Sequence, residues 1–183
     1  METLNNKENK SIIYNQDNNT FILNSNNTSY ILKVLDSGHL AHLYSGRRLR
    51  STNLDYVIRS RNWGSFLANT DNKENFMLEA IPQEYPGYGA TDLRSPAVEL
   101  QFSDGTSATD FRYVSHKIYE GKNKLEGLPA TYTENDEEAT TLEIVLKDTL
   151  KPVEIVLTYS IFKEFDAITR NVKVRNMGQE DVK

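Results

Sequence analysis

At 183 residues the chain is long enough for one domain with a real core, and its lack of cysteine excludes a disulfide framework or cysteine-ligated zinc. A composition of 38% hydrophobic and 26% charged residues is that of a soluble domain, and a net charge of −5 argues against nucleic acid, whose phosphates require a basic face. No run approaches the roughly 20 apolar residues of a membrane span, and the polar start Met1-Glu2-Thr3-Leu4-Asn5 has no signal-peptide core, so a cytoplasmic protein without membrane contact is expected.

Residues 1–10 are polar and read as a flexible N-terminus, which leaves 11–183 as a single β domain. Ser11 to Tyr14 and Thr20 to Leu23 are β-prone runs joined by the turn-rich Asn15-Gln16-Asp17-Asn18-Asn19, which predicts a hairpin. Ser29 to Leu35 alternates, with Tyr30, Leu32 and Val34 on one face and Ile31, Lys33 and Leu35 on the other. Asp36-Ser37-Gly38 turns, and His39 to Tyr44 completes a second hairpin.

From 45 to 80 no period is visible. A long aperiodic stretch is either functional or disordered, and Tyr56, Trp63 and Phe66 argue against disorder. It leads into Pro82-Gln83-Glu84-Tyr85-Pro86-Gly87-Tyr88-Gly89-Ala90-Thr91-Asp92-Leu93-Arg94-Ser95-Pro96-Ala97. Its three prolines and two glycines forbid a helix. Its prolines and aromatics predict a loop packed on the domain, with Tyr85 and Tyr88 buried. Ala97 to Phe102 alternates as a strand, Ser103-Asp104-Gly105 turns, and Phe111 to Tyr119 alternates again. Thr140 to Leu146 and Val153 to Phe162 form a further pair. Ile168 to Val174 puts Ile168, Arg170, Val172 and Val174 on one side. Strands recurring with turns at this spacing, and no extended helical period, predict an all-β antiparallel sandwich. Asp181-Val182-Lys183 reads as the opening of another strand, which predicts a sandwich lacking its C-terminal strands.

Familiar reactive constellations fail on spacing. His39 and His42, three apart on a strand, point to opposite faces and do not make a metal pair. Gly87-Tyr88-Gly89 lacks the third glycine and the helix of a dinucleotide loop. The acidic turn Glu134 to Glu138 lacks the ligand order of a calcium loop. No Ser/His/Asp constellation is legible, because nothing in the sequence brings three such residues together. Neither a cofactor nor a metal is expected.

The loop from Pro82 to Ala97 closely resembles the signature loop in the N-terminal domain of the α-galactosidases of glycoside hydrolase family thirty-six, the melibiose- and raffinose-cleaving enzymes. Ser29-Tyr30-Ile31-Leu32, Gly38 to Gly46, Gly127-Leu128-Pro129-Ala130-Thr131-Tyr132, Glu138 to Ile144, Tyr159 and Asp166-Ala167-Ile168-Thr169-Arg170 follow the same pattern in order. The resemblance implies a two-sheet supersandwich followed by a catalytic barrel that carries both catalytic aspartates. The chain alone is then inactive, with no catalytic residue of its own. It also implies oligomer contacts, a tetramer in the full-length enzyme, and an α-galactoside substrate met through the parent enzyme. Leu54-Asp55 matches a pair on a loop that reaches the galactose pocket. A carboxylate suits vicinal sugar hydroxyls and an indole suits the sugar's C–H face, so Asp55, Leu54, Trp63 and Arg59 are the expected substrate-binding residues. Some members of the family carry an arginine shortly before the Pro-Gln-Glu-Tyr motif, where this chain has Lys73-Glu74, and Arg59 or Arg61 is the available substitute. The same residues also fit a turn-capping Asp55 and a core Trp63. The domain would then be a free-standing carbohydrate-binding module or a purely structural sandwich.

Overall fold

The computed structural model describes residues 10–50, 53–58, 76–127 and 129–183. Two four-stranded antiparallel sheets each run in sequence order. The first comprises β1 (Ile12–Asn15), β2 (Thr20–Asn24), β3 (Thr28–Val34) and β4 (Leu40–Arg47). The second comprises β5 (Phe111–Glu120), β6 (Thr140–Asp148), β7 (Val153–Phe162) and β8 (Ala167–Asn176). Both are meanders, and in the first sheet the hairpins β1–β2 and β3–β4 close at the turns their sequences announce, residues 15–19 and 36–38. At the first, Asn19 takes the left-handed conformation that asparagine tolerates, and Tyr14 Oη donates to its Oδ1 at 2.9 Å.

Period-2 alternation builds the core. Phe21, Leu23 and Leu32 from the first sheet meet Leu142, Ile144, Leu146, Ile155, Leu157 and Ile161 from the second, all at or near zero exposure. Each such side chain contributes about 1.5–3 kcal/mol by leaving water. At one end, Tyr14 stacks on Phe21 with ring centroids 4.7 Å apart, and His116 closes edge-on against Phe21 at 4.8 Å. Burial there holds His116 below the ordinary imidazole range. The opposite face of the first sheet is also covered: Ile22, Ile31, Ala41 and Leu43 pack beneath Leu54 and Ile81. This second cluster explains why residues 54–58 and 76–81 show no period, since they lie across a sheet without joining it.

One expected strand is absent. Ala97 to Phe102 alternates, and Leu100 and Phe102 are indeed buried, but the segment pairs only at its end, where Phe102 bridges Val182 and Gln101 exchanges both backbone bonds with Lys183. The Ala97 N–H turns back to the Pro86 carbonyl, 2.8 Å away. The alternation here reports burial of a loop, with Pro96 withholding a donor where pairing would begin.

Candidate functional site

The signature loop begins as an addition to the first sheet. His42 N–H donates to the Pro82 carbonyl at 2.7 Å, Glu84 N–H donates to the Leu40 carbonyl at 2.9 Å, and Ala41 faces Gln83. This pairing drives Glu84 into the seam between the sheets, where its side chain is 3% exposed. Four elements converge on its carboxylate. Tyr30 Oη on β3 donates to both oxygens at 2.8 Å. Tyr159 Oη on β7 and Arg170 Nη1 on β8 reach Oε1 at 2.7 and 2.8 Å. His42 Nδ1 on β4 lies 3.0 Å from Oε2 and must be the donor, because a carboxylate only accepts. Burial alone would raise the Glu84 pKa, yet the bonds from His42, Tyr159 and Tyr30 outweigh it and hold the carboxyl below its ordinary range. Burial and the adjacent Glu84 charge push both phenols well above theirs. Tyr30, Tyr159 and Arg170 also line a cleft of 430 Å³ that opens toward Thr28, Ser45 and Asp166.

Farther along the loop, Gly89 and Asp92 exchange backbone bonds around Ala90 and Thr91, both at positive φ (48° and 73°). Two consecutive left-handed residues define a type I′ turn, which ordinarily takes asparagine and glycine. Asp92, 1% exposed, anchors the turn. It accepts from Gln83 Nε2 at 2.7 Å and from Arg94 at 2.6 and 2.8 Å, while Arg94 Nη2 also donates to the carbonyls of Leu78 and Ile81. Of the two tyrosines expected inside, Tyr85 is buried at 8%, whereas Tyr88 is 44% exposed. Tyr88 sits beside Leu93 and Arg94 on the outer lip of the loop, where a phenol stays wet at little cost.

The expected substrate-binding residues divide. Leu54 is buried at 7% in the outer cluster of the first sheet and acts as an anchor. Asp55 opens a single 3₁₀ turn, Asp55–Val57, and its carboxylate is half exposed and paired with Lys33 Nζ. Lys33 faces outward from β3, as the alternation requires. Arg59, Arg61, Trp63 and the Lys73-Glu74 pair lie outside the described residues. Beside Asp55 is a cleft of 410 Å³ whose polar walls are Lys33, Asp36, Ser37 and Asp55 and whose apolar walls are Leu35, Ile58 and Phe76.

The two histidines diverge, His42 to Glu84 and His39 to Asp110. His39, 1% exposed, links two groups: its Nε2 lies 2.8 Å from Asp110 Oδ1 and its Nδ1 lies 2.8 Å from Ser37 Oγ. Asp110 Oδ2 accepts from Arg112 Nε and Nη2 at 2.9 and 2.7 Å and from Thr149 Oγ1 at 2.8 Å. Burial favours the protonated acid there, but these donors together with His39 hold Asp110 well below the usual carboxylate range. Sequence reading missed this line of three because Asp110 lies 71 residues from His39; only the Ser37-Gly38-His39 spacing was visible.

Two antiparallel sheets, stitched through a buried carboxylate on an irregular loop, define a β-sandwich domain. The profile of the glycosyl hydrolase family 36 N-terminal domain matches residues 38–183, and the chain belongs to that family. It is 43% identical over 148 residues to the alpha-galactosidase AgaA of Geobacillus stearothermophilus, a match covering 80% of this chain and 20% of AgaA. It is 39% identical over 145 residues to the bifunctional alpha-galactosidase/sucrose kinase AgaSK of Mediterraneibacter gnavus, covering 77% and 15%. The crystal structure of AgaB from G. stearothermophilus superposes with a TM-score of 0.86 at 41% identity, over 94% of this chain and 23% of AgaB. An AgaA variant in complex with raffinose superposes at 0.84 and 39% identity, over 89% and 23%. The chain thus spans about a fifth of the length of these relatives.

Proposed function

We propose that the chain acts as the non-catalytic N-terminal domain of a cytoplasmic α-galactosidase that hydrolyses terminal non-reducing α-D-galactosides of the melibiose and raffinose type. In this reading it docks on the catalytic barrel of its parent enzyme, contributes contacts between subunits of an oligomer, and brings one loop to the galactose pocket. The observation that carries the reading is Asp55: the backbone before it is fastened into the outer cluster by Leu54, while the carboxylate itself stands in the open. A fixed backbone carrying a half-exposed acid, paired on one side with Lys33, is the geometry of a binding group, since it accepts sugar hydroxyls without first being ordered. A retaining glycosidase needs two carboxyl groups roughly 5–5.5 Å apart; the family resemblance assigns that pair to the barrel, so the isolated chain turns over no aryl α-galactoside.

The test is Asp55→Ala in the full-length enzyme. Loss of a charge-assisted hydrogen bond, on the order of 1.5–3 kcal/mol, lowers kcat/KM by roughly ten- to more than a hundredfold, and azide does not rescue it because no covalent step passes through Asp55. An unchanged kcat/KM removes Asp55 from the pocket.

A further inference from the structure

Alternation along β3 puts Lys33 on the outer face of the first sheet, between Ile31 and Leu35 and opposite Thr20 on β2 and Ala41 on β4. Ile31 and Ala41 are fully buried members of the outer apolar cluster, and Leu35 packs against it. A lysine in such a place leaves its ammonium among apolar groups unless the head group finds a partner. Among the described residues that partner is one carboxylate, Asp55, reached through Oδ1. The two ends of the pair are unequally covered, the Lys33 side chain being 19% exposed and that of Asp55 53%. Lys33 therefore stands behind and Asp55 in front. The Asp55 backbone is already set by Leu54 in the outer cluster and by the 3₁₀ turn. In that turn Val57 N–H donates to the Leu54 carbonyl at 2.9 Å and Ile58 N–H to the Asp55 carbonyl at 3.2 Å. What freedom an exposed acid there retains is rotation about its side-chain bonds, and the bond from Lys33 removes it. Oδ1 is taken from behind, while Oδ2 has no partner among the described residues.

We propose that Lys33 is a positioning residue for Asp55: it holds the carboxylate in one rotamer and leaves Oδ2 to accept a substrate hydroxyl in the galactose pocket of the parent enzyme. The inference rests on the reading of Asp55 as a sugar contact and adds to it the group that orients it; Lys33 itself touches no substrate. For stability a lysine is a poor choice here. A pair with one end half exposed contributes little, and an apolar side chain would suit Ile31, Leu35 and Ala41 better. For binding it is a good one. A side chain ordered in advance loses no rotamer freedom when the sugar arrives, a loss that otherwise weakens binding about three- to tenfold.

The experiment is a double-mutant cycle in the full-length enzyme with an aryl α-galactoside, read beside the urea midpoint of the 183-residue chain carrying the same substitutions. Lys33→Met is expected to lower kcat/KM about three- to tenfold while the urea midpoint stays level or rises. In the Asp55→Ala background the same substitution changes kcat/KM by less than about twofold, because the group it orients is gone. Lys33→Arg, which keeps a charged donor, stays within about twofold of the parent enzyme. An unchanged kcat/KM for Lys33→Met beside a loss for Asp55→Ala would overturn the role of Lys33 and leave that of Asp55 standing. An equal loss in both backgrounds would also overturn it, since Lys33 would then act on something other than Asp55. An unchanged kcat/KM for Asp55→Ala removes the sugar contact itself, and the proposal with it.

Discussion

Replacing Glu84 by glutamine tests the account of the seam most directly. The side chain keeps its size, but five hydrogen bonds from four donor groups now face a neutral amide with one acceptor oxygen and an NH₂ group that is itself a donor. At most two donors can be satisfied by the carbonyl. Arg170 is 46% exposed at its side chain and can turn to water, so its share is discounted to that of a surface pair, about 0–1 kcal/mol. Tyr159, 1% exposed, has no such escape; a stranded buried phenol costs about 1–3 kcal/mol. Adding the weakened bonds from Tyr30 and His42 gives about 3 kcal/mol, within the range for breaking a buried pair from one side. For a chain of this length that lowers Tm by about 6–12 °C. Urea unfolding followed by tryptophan fluorescence and far-UV circular dichroism reads it, and a cycle with Tyr159→Phe isolates the largest member. A loss below about 1 kcal/mol, or strict additivity of Glu84→Gln and Tyr159→Phe, would refute the claim that this carboxylate joins the sheets.

Acid should unfold the domain through the same groups. Glu84, Asp92 and Asp110 all titrate below their ordinary range in the folded state, so the unfolded chain binds their protons first; the stability they contribute is full above about pH 4–5 and is lost as pH falls through the folded values. The urea midpoint should hold from pH 7 to 5 and drop steeply below about 4, and a midpoint that rises on acidification would contradict the assignment. Gly87→Ala should destabilise by about 1–3 kcal/mol, because the added methyl would land on Thr109 Oγ1 and stand 3.3 Å from Phe111, displacing the hydroxyl that accepts the Tyr88 N–H; a thermal melt within 1 °C of the parent chain would show that the loop can yield there.

The sandwich was legible because its strands are hairpins, and a period of two survives in sequence whatever the partner. Ser29 to Leu35 was assigned its faces correctly on that basis alone, and the structure buries Leu32 and Val34 accordingly; of Ile168 to Val174, Ile168 and Val172 are partly buried against the core, whereas Val174 is 44% exposed. The alternation even carried a trace of the seam, since it placed Arg170 inward between Ile168 and Val172, and a cation on an apolar face implies a buried anion. It could not say which one, because Glu84 is 86 residues away and its loop has no period. The same limit hid the Ser37–His39–Asp110 line. Ala97 to Phe102 misled in the opposite sense: alternation requires only that every second side chain be buried, and a loop lying on the core satisfies that as well as a strand. Tyr88 was expected inside because the loop is dense in prolines and aromatics, but the loop turns between Tyr85 and Tyr88 at Pro86 and Gly87, and the ring ends on the outer lip.

The placing of Glu84 also bears on the order in which the molecule assembles. Each sheet is a meander whose contacts are local, so either can form without waiting for the other. Glu84 instead reaches back 54 residues to Tyr30 and forward 75 to Tyr159, and its contacts with Tyr159 and Arg170 close only when two finished meanders meet. Interactions made that late are absent from the rate-limiting ensemble of folding and weigh chiefly on the way out. The carboxylate in the seam therefore acts as a latch: it leaves the speed of folding nearly untouched and sets how long the joined sheets remain together.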